Sequence, residues 1–295
     1  MKTTPIDQIE SRPRKVALGT FDGVHLGHRA VIGAADTVVT FDPHPVTVVA
    51  PDRVPRLLTT IGQKAGLLSE LGVRELVVVP FDERTAAMTP QEFVDEILVE
   101  ALQATEVRVG ENFRFGKGAA GDTVLLGQQA GFETTVVPLL ERDGRVVSSS
   151  WIRELVGEGQ VAAASELLGH EFELLGPVVE GEKRGRELGY PTANLVPTPG
   201  YCLPAHGVYA ATATLEGGEE VPAAVSIGLR PTFQTELGEL IEAYLIDFDG
   251  DLYGQELALR FRSHLRPELR FEDAEALIGQ MATDVADARA ALADG

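Results

Sequence analysis

The sequence predicts an α/β protein in which a doubly wound parallel sheet is followed by a small antiparallel β-barrel and a C-terminal helix. Short Val-rich runs alternate with helical patterns from Val16 to about Val147. From Phe172 onward, strand-like runs separated by Gly and Pro follow one another without helices between them. Alternation with helices is typical of a parallel sheet, whereas consecutive strands indicate an antiparallel sheet or barrel.

The first half is predicted to contain buried parallel strands joined by crossover helices. The strand-like runs are rich in valine and cover residues 16–18, 37–41, 75–79, 106–109 and 133–138. Helical patterns lie between them, for example over residues 63–71 and 90–102. Sheets of this class bind ligands at the carboxyl ends of their strands, where His25, His28 and Asp42 are expected to lie. These residues therefore predict a single site.

The second half begins with a short helical segment over residues 162–168, after which the hydrophobic pattern changes from helical to strand-like. Its strand-like runs cover residues 172–179, 207–215, 221–227, 241–248 and 256–261. The tail, residues 272–292, is helical in pattern, with one stripe that contains Leu277, Met281, Val285, Ala288 and Leu292. We therefore predict two domains, residues 1–160 and residues 161–295.

Composition excludes several classes of partner. The formal net charge of −20 at pH 7 argues against a surface for nucleic acid or anionic membrane, since both require clustered Lys and Arg. The single cysteine, Cys202, allows no internal disulfide and suits a reducing compartment. The polar N-terminus has no apolar signal core, and no apolar run approaches a membrane span. We expect a cytoplasmic protein that is a monomer or a weak oligomer.

The turn over residues 19–28 is the most informative segment. Residues 16–18 form a hydrophobic strand that leads directly into it, and the turn holds two of the six histidines of the chain, His25 and His28. If a helix begins near His25, the i, i+3 spacing places both imidazoles on one face. The simpler interpretation is a strand–turn–helix with two incidental histidines, but the concentration of histidines in this turn favours a nucleotide-handling site.

Several segments, in order along the chain, resemble the bifunctional riboflavin kinase/FAD synthetase family. The first half contributes the His-x-Gly-His turn and three further stretches, namely Thr40–Pro45, Gly110–Gly116 and Ser148–Arg153. The second half contributes Gly185–Leu195 and Asp251–Gly254. Because the matching segments run in order from about Val16 to the last helix, the resemblance is far more specific than any single motif.

For the first half, the resemblance implies adenylyl transfer from ATP to FMN on a nucleotidyltransferase fold. It assigns catalytic roles to His25, His28 and Arg153. It assigns ATP binding to Gly19, Phe21, Asp22, Gly27, Ser149 and Ser150, and flavin binding to Asn112 and Phe115. Two alternatives stay open: the serines could simply cap a helix, and Phe113 could pack with Phe115 in the core.

For the second half, the resemblance implies phosphorylation of riboflavin by ATP. Glu242 matches the catalytic base of the family, although on sequence alone it could equally be a solvent-facing strand acid. Thr192 and Asn194 stand two residues apart, so their oxygens would point the same way in an extended segment and suit Mg²⁺. The glycine-rich loop with Gly181, Lys183 and Gly185 is expected to cover ATP phosphates, although it lacks P-loop spacing.

Three departures from the family pattern leave rival interpretations open. Ala119 replaces a basic residue, Ser150 replaces threonine, and the segment between His28 and Thr40 is short, with room for a helix of about three turns. The rivals are a riboflavin kinase with a degenerate N-terminal domain and a non-catalytic flavin sensor. A nucleotidyltransferase with another acceptor would explain His25 and His28 but leave the kinase motifs unexplained. The preferred prediction is a bifunctional transferase that uses riboflavin, FMN, ATP and Mg²⁺ and yields FMN and FAD.

Overall fold

The computed structural model describes residues 1–181, 189–229 and 239–293. The chain divides into two compact units, Met1–Ser149 and Ser150–Gly295. Both predicted architectures are present, one in each unit, so the predicted fold class is confirmed.

The first unit is built on a six-stranded parallel sheet with the order β1-β4-β3-β2-β5-β6. Its strands are β1 (Lys2–Pro5), β2 (Arg14–Leu18), β3 (Thr37–Asp42), β4 (Glu75–Pro80), β5 (Ala104–Gly110) and β6 (Glu133–Val137). A two-stranded antiparallel hairpin, β7 (Glu141–Arg142) and β8 (Arg145–Val146), follows. Because β3 and β5 flank β2 on opposite sides, the chain reverses direction across the sheet at β2. Ligand sites in sheets of this kind lie at such a reversal.

Helices connect the strands of this sheet. They are α1 (Leu26–Ile32), α2 (Pro45–Val49), α3 (Ile61–Glu70), α4 (Glu83–Ala87), α5 (Pro90–Glu92) and α6 (Thr123–Gly127). A π-helical stretch, Phe93–Ala101, continues directly from α5. Single 3-10 turns cover Ile6–Gln8, Pro51–Arg53 and Lys117–Ala119.

Both faces of the parallel sheet are buried, which explains the Val-rich character of its strands. Along β2, Val16 and Leu18 belong to one apolar cluster, which also contains Phe93 and Leu98 of the π-helical stretch. Ala17 points to the opposite face and packs in a second cluster. Alternate residues of a strand face opposite sides of the sheet, so Val16, Ala17 and Leu18 each pack in one of the two cores.

The second unit is a closed antiparallel barrel with the order β10-β13-β12-β11-β14-β9. Its strands are β9 (Phe172–Val179), β10 (Ala193–Leu195), β11 (Gly207–Thr214), β12 (Glu220–Leu229), β13 (Glu239–Leu245) and β14 (Glu256–Arg266). Two helices precede it, α7 (Ser149–Gly157), whose first residue closes the first unit, and α8 (Val161–Leu168). The C-terminal helix covers Ala274–Ala293.

The C-terminal helix packs on the barrel through the last three residues of the predicted stripe. Val285, Ala288 and Leu292 join a cluster with Ala210 and Ile246 of the second unit. No helix among residues 1–181, 189–229 and 239–293 has both the length and the apolar character that crossing a bilayer requires.

One detail of the first unit differs from expectation. The helix after the histidine turn, α1, has seven residues, about two turns rather than three. It ends because Gly33 adopts a positive φ of 46° and its N–H bonds back to the Arg29 carbonyl. A Cβ at Gly33 would also lie 2.6 Å from a terminal nitrogen of Arg108, so a larger residue there would require the Arg108 side chain to move.

Candidate active sites

The two histidines of the turn are stacked on each other. His25 is the N-cap of α1, and its Nδ1 accepts a hydrogen bond of 3.2 Å from the backbone N–H of His28. The ring centroids lie 3.5 Å apart with an interplanar angle of 16°, and the edge of Phe21 contacts His28 at 5.3 Å between centroids. Since Nδ1 of His25 accepts, neutral His25 carries its proton on Nε2. The predicted shared face is therefore present.

Gly27 fits closely against the stacked histidines. A Cβ at position 27 would lie 3.2 Å from Nδ1 and Cε1 of His25, closer than ordinary van der Waals contact. Even alanine there would require the His25 ring to shift by a few tenths of an ångström.

The loop that leads to the histidines is strained. Phe21 has φ of 49° and Val24 has φ of 41°, a conformation that is costly for a bulky or β-branched residue. Gly23, between them, adopts φ of 82° without that penalty. Such strain persists only where surrounding contacts over-determine the backbone, and it is concentrated at functional sites.

Asp22 supplies the contacts that hold this loop. Its side chain is buried, with 3% of the residue exposed. The carboxylate accepts hydrogen bonds from the N–H of Leu58 at 2.9 Å and the N–H of Thr59 at 3.2 Å. The carbonyl of Asp22 accepts from the hydroxyl of Ser149 at 2.9 Å. Asp22 and Ser149 therefore anchor the loop in this structure, and the ATP contacts that the resemblance assigns to them stay predictions.

A second anchor of the loop, Lys64, was missed by the sequence reasoning. Lys64 is on α3, four residues before the buried Leu68, and it is itself only 5% exposed. Its Nζ donates to the Thr20 carbonyl at 2.7 Å and to the Thr40 hydroxyl at 3.2 Å. Burial lowers the pKa of Lys64 to about 8, while the nearby Asp22 and Asp42 act in the opposite direction. The sequence feature that could have revealed this anchor is the position of the lysine on the apolar face of a predicted helix.

The loop after β5 begins beside the histidine turn in the sheet order, since β5 is paired with β2. Asn112 is exposed in this loop and Phe113 is half-buried. Phe115 is 7% exposed and belongs to the core, with its ring 5.7 Å from Phe113 and 5.5 Å from Phe93. The Phe113–Phe115 packing left open by the sequence is therefore present. Little of the Phe115 ring is accessible, and its flavin role stays a prediction.

The other residues assigned to adenylyl transfer lie in two segments far apart in the sequence. Gly19 directly follows β2, and a Cβ there would lie 3.3 Å from the Phe21 ring. Ser150 is exposed and Arg153 is half-buried, and both lie on α7. Their roles stay predictions.

In the barrel, the residues assigned to the kinase reaction meet across strands. Asn194 on β10 lies directly opposite Glu242 on β13, and Glu242 also lies opposite Ser226 on β12. Directly opposite residues share a face of the sheet, so these three side chains point to the same side. Glu242 alternates with the fully buried Ile241 and Ala243, so it faces away from the barrel interior. Ser226 was missed by the sequence reasoning, because its pairing depends on strand register.

Gly181 completes this group. A Cβ at position 181 would overlap the carboxamide of Asn194, so only glycine lets the chain pass this side chain. Thr192 is half-buried, just before β10. The two other predicted loop residues, Lys183 and Gly185, lie outside the described residues. Within residues 1–181, 189–229 and 239–293, no group of three or more His, Cys, Asp or Glu side chains could hold a metal ion.

Comparison with known proteins matches both halves of the chain. A model of the FAD synthetase family matches residues 7–151, and a model of the riboflavin kinase family matches residues 168–292. The bifunctional riboflavin kinase/FMN adenylyltransferase of Listeria monocytogenes is 38% identical over 94% of this chain and 92% of its own length. The chain belongs to the bifunctional riboflavin kinase/FMN adenylyltransferase family.

Two further comparisons agree with this membership. The Escherichia coli K12 protein of the same description is 37% identical over 93% of this chain and 91% of its own length. A solved structure described as a macrolide-efflux protein from Streptococcus pneumoniae superimposes with a TM-score of 0.87 and 28% identity. It covers 98% of this chain and 99% of its own, so the two chains share a fold throughout. The family resemblance drawn from the motifs is confirmed.

Proposed function

We propose that the two units carry out successive ATP-dependent steps with separate sets of residues. The barrel unit phosphorylates the terminal hydroxyl of riboflavin, giving FMN and ADP. The parallel-sheet unit transfers the adenylyl group of ATP to the FMN phosphate, giving FAD and pyrophosphate. The observation that carries this proposal is the match of FAD synthetase to residues 7–151 and of riboflavin kinase to residues 168–292 in one chain.

The adenylyl transfer requires positioning more than proton transfer. The FMN phosphate is ionised at neutral pH, so it can attack the α-phosphorus of ATP without a general base. Catalysis then depends on alignment and on donors aimed at the charge that develops on the phosphoryl oxygens and the departing pyrophosphate. The stacked rings of His25 and His28 supply such donors from a strained, firmly anchored loop. Arg153 is assigned to the phosphates as a bidentate donor.

ATP and flavin are assigned to the loops that follow β2 and β5, the neighbouring strands at the reversal. Gly19, Phe21, Asp22 and Gly27 form the ATP side, with Ser149 and Ser150 at the start of α7. On the flavin side, Asn112 supplies an amide for the polar edge of the ring. The stacked Phe113 and Phe115 rings supply an aromatic surface, with Phe113 as the more accessible member.

The kinase reaction requires a base, because the riboflavin hydroxyl is a poor nucleophile until its proton is removed. Glu242 takes this role, since its carboxylate faces the same side of the barrel wall as Asn194. The donor set fits Mg²⁺: the Thr192 hydroxyl and the Asn194 amide oxygen are hard, uncharged ligands that leave room for ATP phosphates. When bound, Mg²⁺ would offset charge on these phosphates. Gly181, Lys183 and Gly185 are assigned to the ATP phosphates from the adjoining loop.

A product assay tests the proposal. The pure protein is incubated with riboflavin, ATP and Mg²⁺, and riboflavin, FMN and FAD are separated by chromatography. We expect FAD to accumulate through FMN. FMN alone would instead support a kinase with a degenerate first unit, the rival suggested by Ala119, Ser150 and the short α1. If neither FMN nor FAD is formed, the result would support a flavin sensor. Omitting Mg²⁺ should abolish both steps.

We further propose that residues 1–160 and 161–295 are the two catalytic domains, with a division inside the stretch that neither family model covers. A fragment that begins at residue 161 should phosphorylate riboflavin, and an inactive or insoluble fragment would contradict this division.

The enzyme is expected to act in the cytoplasm without nucleic acid or membrane partners, consistent with its net charge of −20. Light scattering after size exclusion tests the expected monomer or weak oligomer.

A further inference from the structure

Lys64 is a buried charged residue that the assigned reactions do not use. Its ammonium group lies between α3 and the loop that follows β2, with only 5% of the residue exposed. Nζ donates hydrogen bonds to the Thr20 carbonyl at 2.7 Å and to the Thr40 hydroxyl at 3.2 Å. The Thr40 hydroxyl also donates to the same carbonyl at 2.9 Å, so the three groups close a ring of hydrogen bonds around one loop atom.

This ring holds a particular part of the loop. Thr20 directly precedes Phe21, the first residue with positive φ, and His25 follows four residues later. The segment just before α3 holds Asp22, two residues after Thr20, because the N–H groups of Leu58 and Thr59 donate to the Asp22 carboxylate. Residues 58–64 therefore hold the loop at two points, the Thr20 carbonyl and the Asp22 carboxylate.

The Lys64 ammonium also faces two acids. Asp22, from the loop, and Asp42, from the end of β3, are the charged groups that act on it. Burial outweighs their attraction and lowers the pKa of Lys64 to about 8. A neutral apolar side chain would fill this position without the desolvation penalty of an ammonium, so the charge at this position calls for an explanation beyond packing.

We propose that Lys64 is a positioning residue for adenylyl transfer, whose charged Nζ holds the Thr20–Asp22 backbone so that His25 and His28 face the reacting phosphates. The inference rests on the proposed function of the first unit. It predicts that loss of the charge lowers kcat for FAD formation by roughly 10- to 100-fold, since displacement of aligned groups by about 1 Å has effects of that size. The KM for FMN should change little, because Lys64 hydrogen-bonds the loop after β2 and a residue of β3, whereas Asn112 follows β5 on the other side of β2 in the sheet order.

The charge also predicts a pH dependence. As pH rises through about 8, Lys64 loses its proton and the adenylyl transfer rate should fall, whereas the kinase rate should not follow this fall. Arginine at position 64 stays protonated throughout this range. Lys64→Arg should therefore remove the alkaline fall in adenylyl transfer, even if its rate at neutral pH is lower.

The experiment measures kcat and KM for FMN-to-FAD conversion between pH 6.5 and 9.5 in the full chain, with saturating ATP and Mg²⁺. The variants are Lys64→Met, Lys64→Arg and the control Lys2→Met, which removes an exposed lysine from the same unit. Riboflavin phosphorylation is measured in each preparation, and limited proteolysis reports whether residues 1–149 stay folded. The wild-type protein tests the proposed function separately, since FAD formation there is needed before any variant is compared.

The expected result is a low, pH-independent rate for Lys64→Met, an alkaline fall in the wild type and in Lys2→Met, and no such fall in Lys64→Arg. The kinase rate should be the same in all four proteins. Wild-type rates in Lys64→Met, or an alkaline fall that survives in Lys64→Arg, would overturn the proposal. If every Lys64 variant unfolds residues 1–149, Lys64 belongs to the fold rather than to the reaction, and the proposal is likewise overturned.

Discussion

The buried ammonium of Lys64 makes a quantitative prediction about stability. The pKa of lysine is 10.5 in its ordinary state and about 8 in the folded protein. The folded state therefore binds fewer protons than the unfolded state between these values, and the free energy of unfolding should rise with pH across the window. Below about pH 8 the charged Lys64 destabilises the first unit, and this cost disappears as the pH rises toward 10.5.

The magnitude follows from the two pKa values. A difference of about 2.5 pKa units corresponds to roughly 3 kcal/mol at neutral pH, where the penalty is nearly complete. At pH 10 the unfolded chain has already lost most of this proton, and the penalty falls to about 1 kcal/mol. Lys64→Met removes the titration, so the stability difference between variant and wild type should shrink by about 2 kcal/mol from pH 7 to pH 10.

The assay is urea unfolding of the full chain by pulse proteolysis, in which the surviving fragment identifies the transition of residues 1–149. The variant should be more stable than wild type at pH 7 while its FAD formation is slower. Lys2→Met is the matched control, because it removes an exposed lysine from the same unit. A variant whose stability difference from wild type is the same at pH 7 and pH 10 would refute the reasoning.

Two further predictions concern buried contacts in each unit. Gly181→Ala should lower riboflavin phosphorylation at least 10-fold and leave FMN adenylylation unchanged in the product assay, because the new Cβ displaces the Asn194 carboxamide. Unchanged phosphorylation would contradict the assignment of Asn194 to the kinase site. Glu75→Gln should destabilise the first unit by about 3–5 kcal/mol in urea unfolding, since it leaves the fully buried Arg14 guanidinium without its carboxylate partner. Glu10→Gln, at an exposed ion pair, is the control and should leave the urea midpoint nearly unchanged.

Local patterns of the sequence were sufficient for the fold class and for the histidine pair. Val-rich strands predicted burial on both faces, and the sheet has an apolar cluster on each side. The i, i+3 spacing of His25 and His28 predicted a shared face, because that relation depends only on helix geometry. The order of the motifs along the chain was sufficient to identify the family.

Features that depend on tertiary contacts were not predictable in this way. Strand β1 is short and polar, and it forms only because its backbone pairs with β4 at the edge of the sheet. Lys64 lies on a helix face where a long side chain could equally reach solvent, and only the packed loop above it buries the charge. The pairing of Glu242 with Asn194 and Ser226 depends on register between distant strands, which no local pattern encodes.

The most direct test of the central claim measures both reactions in two variants of the full chain. Glu242→Gln should lower riboflavin phosphorylation by roughly 10² to 10⁴ and leave conversion of supplied FMN to FAD intact. His28→Ala should lower FMN-to-FAD conversion by roughly 10² to 10³ while FMN still accumulates from riboflavin. If His28→Ala leaves FAD formation from FMN untouched, or Glu242→Gln abolishes that step as strongly as phosphorylation, the assignment of separate residues to the two reactions is contradicted.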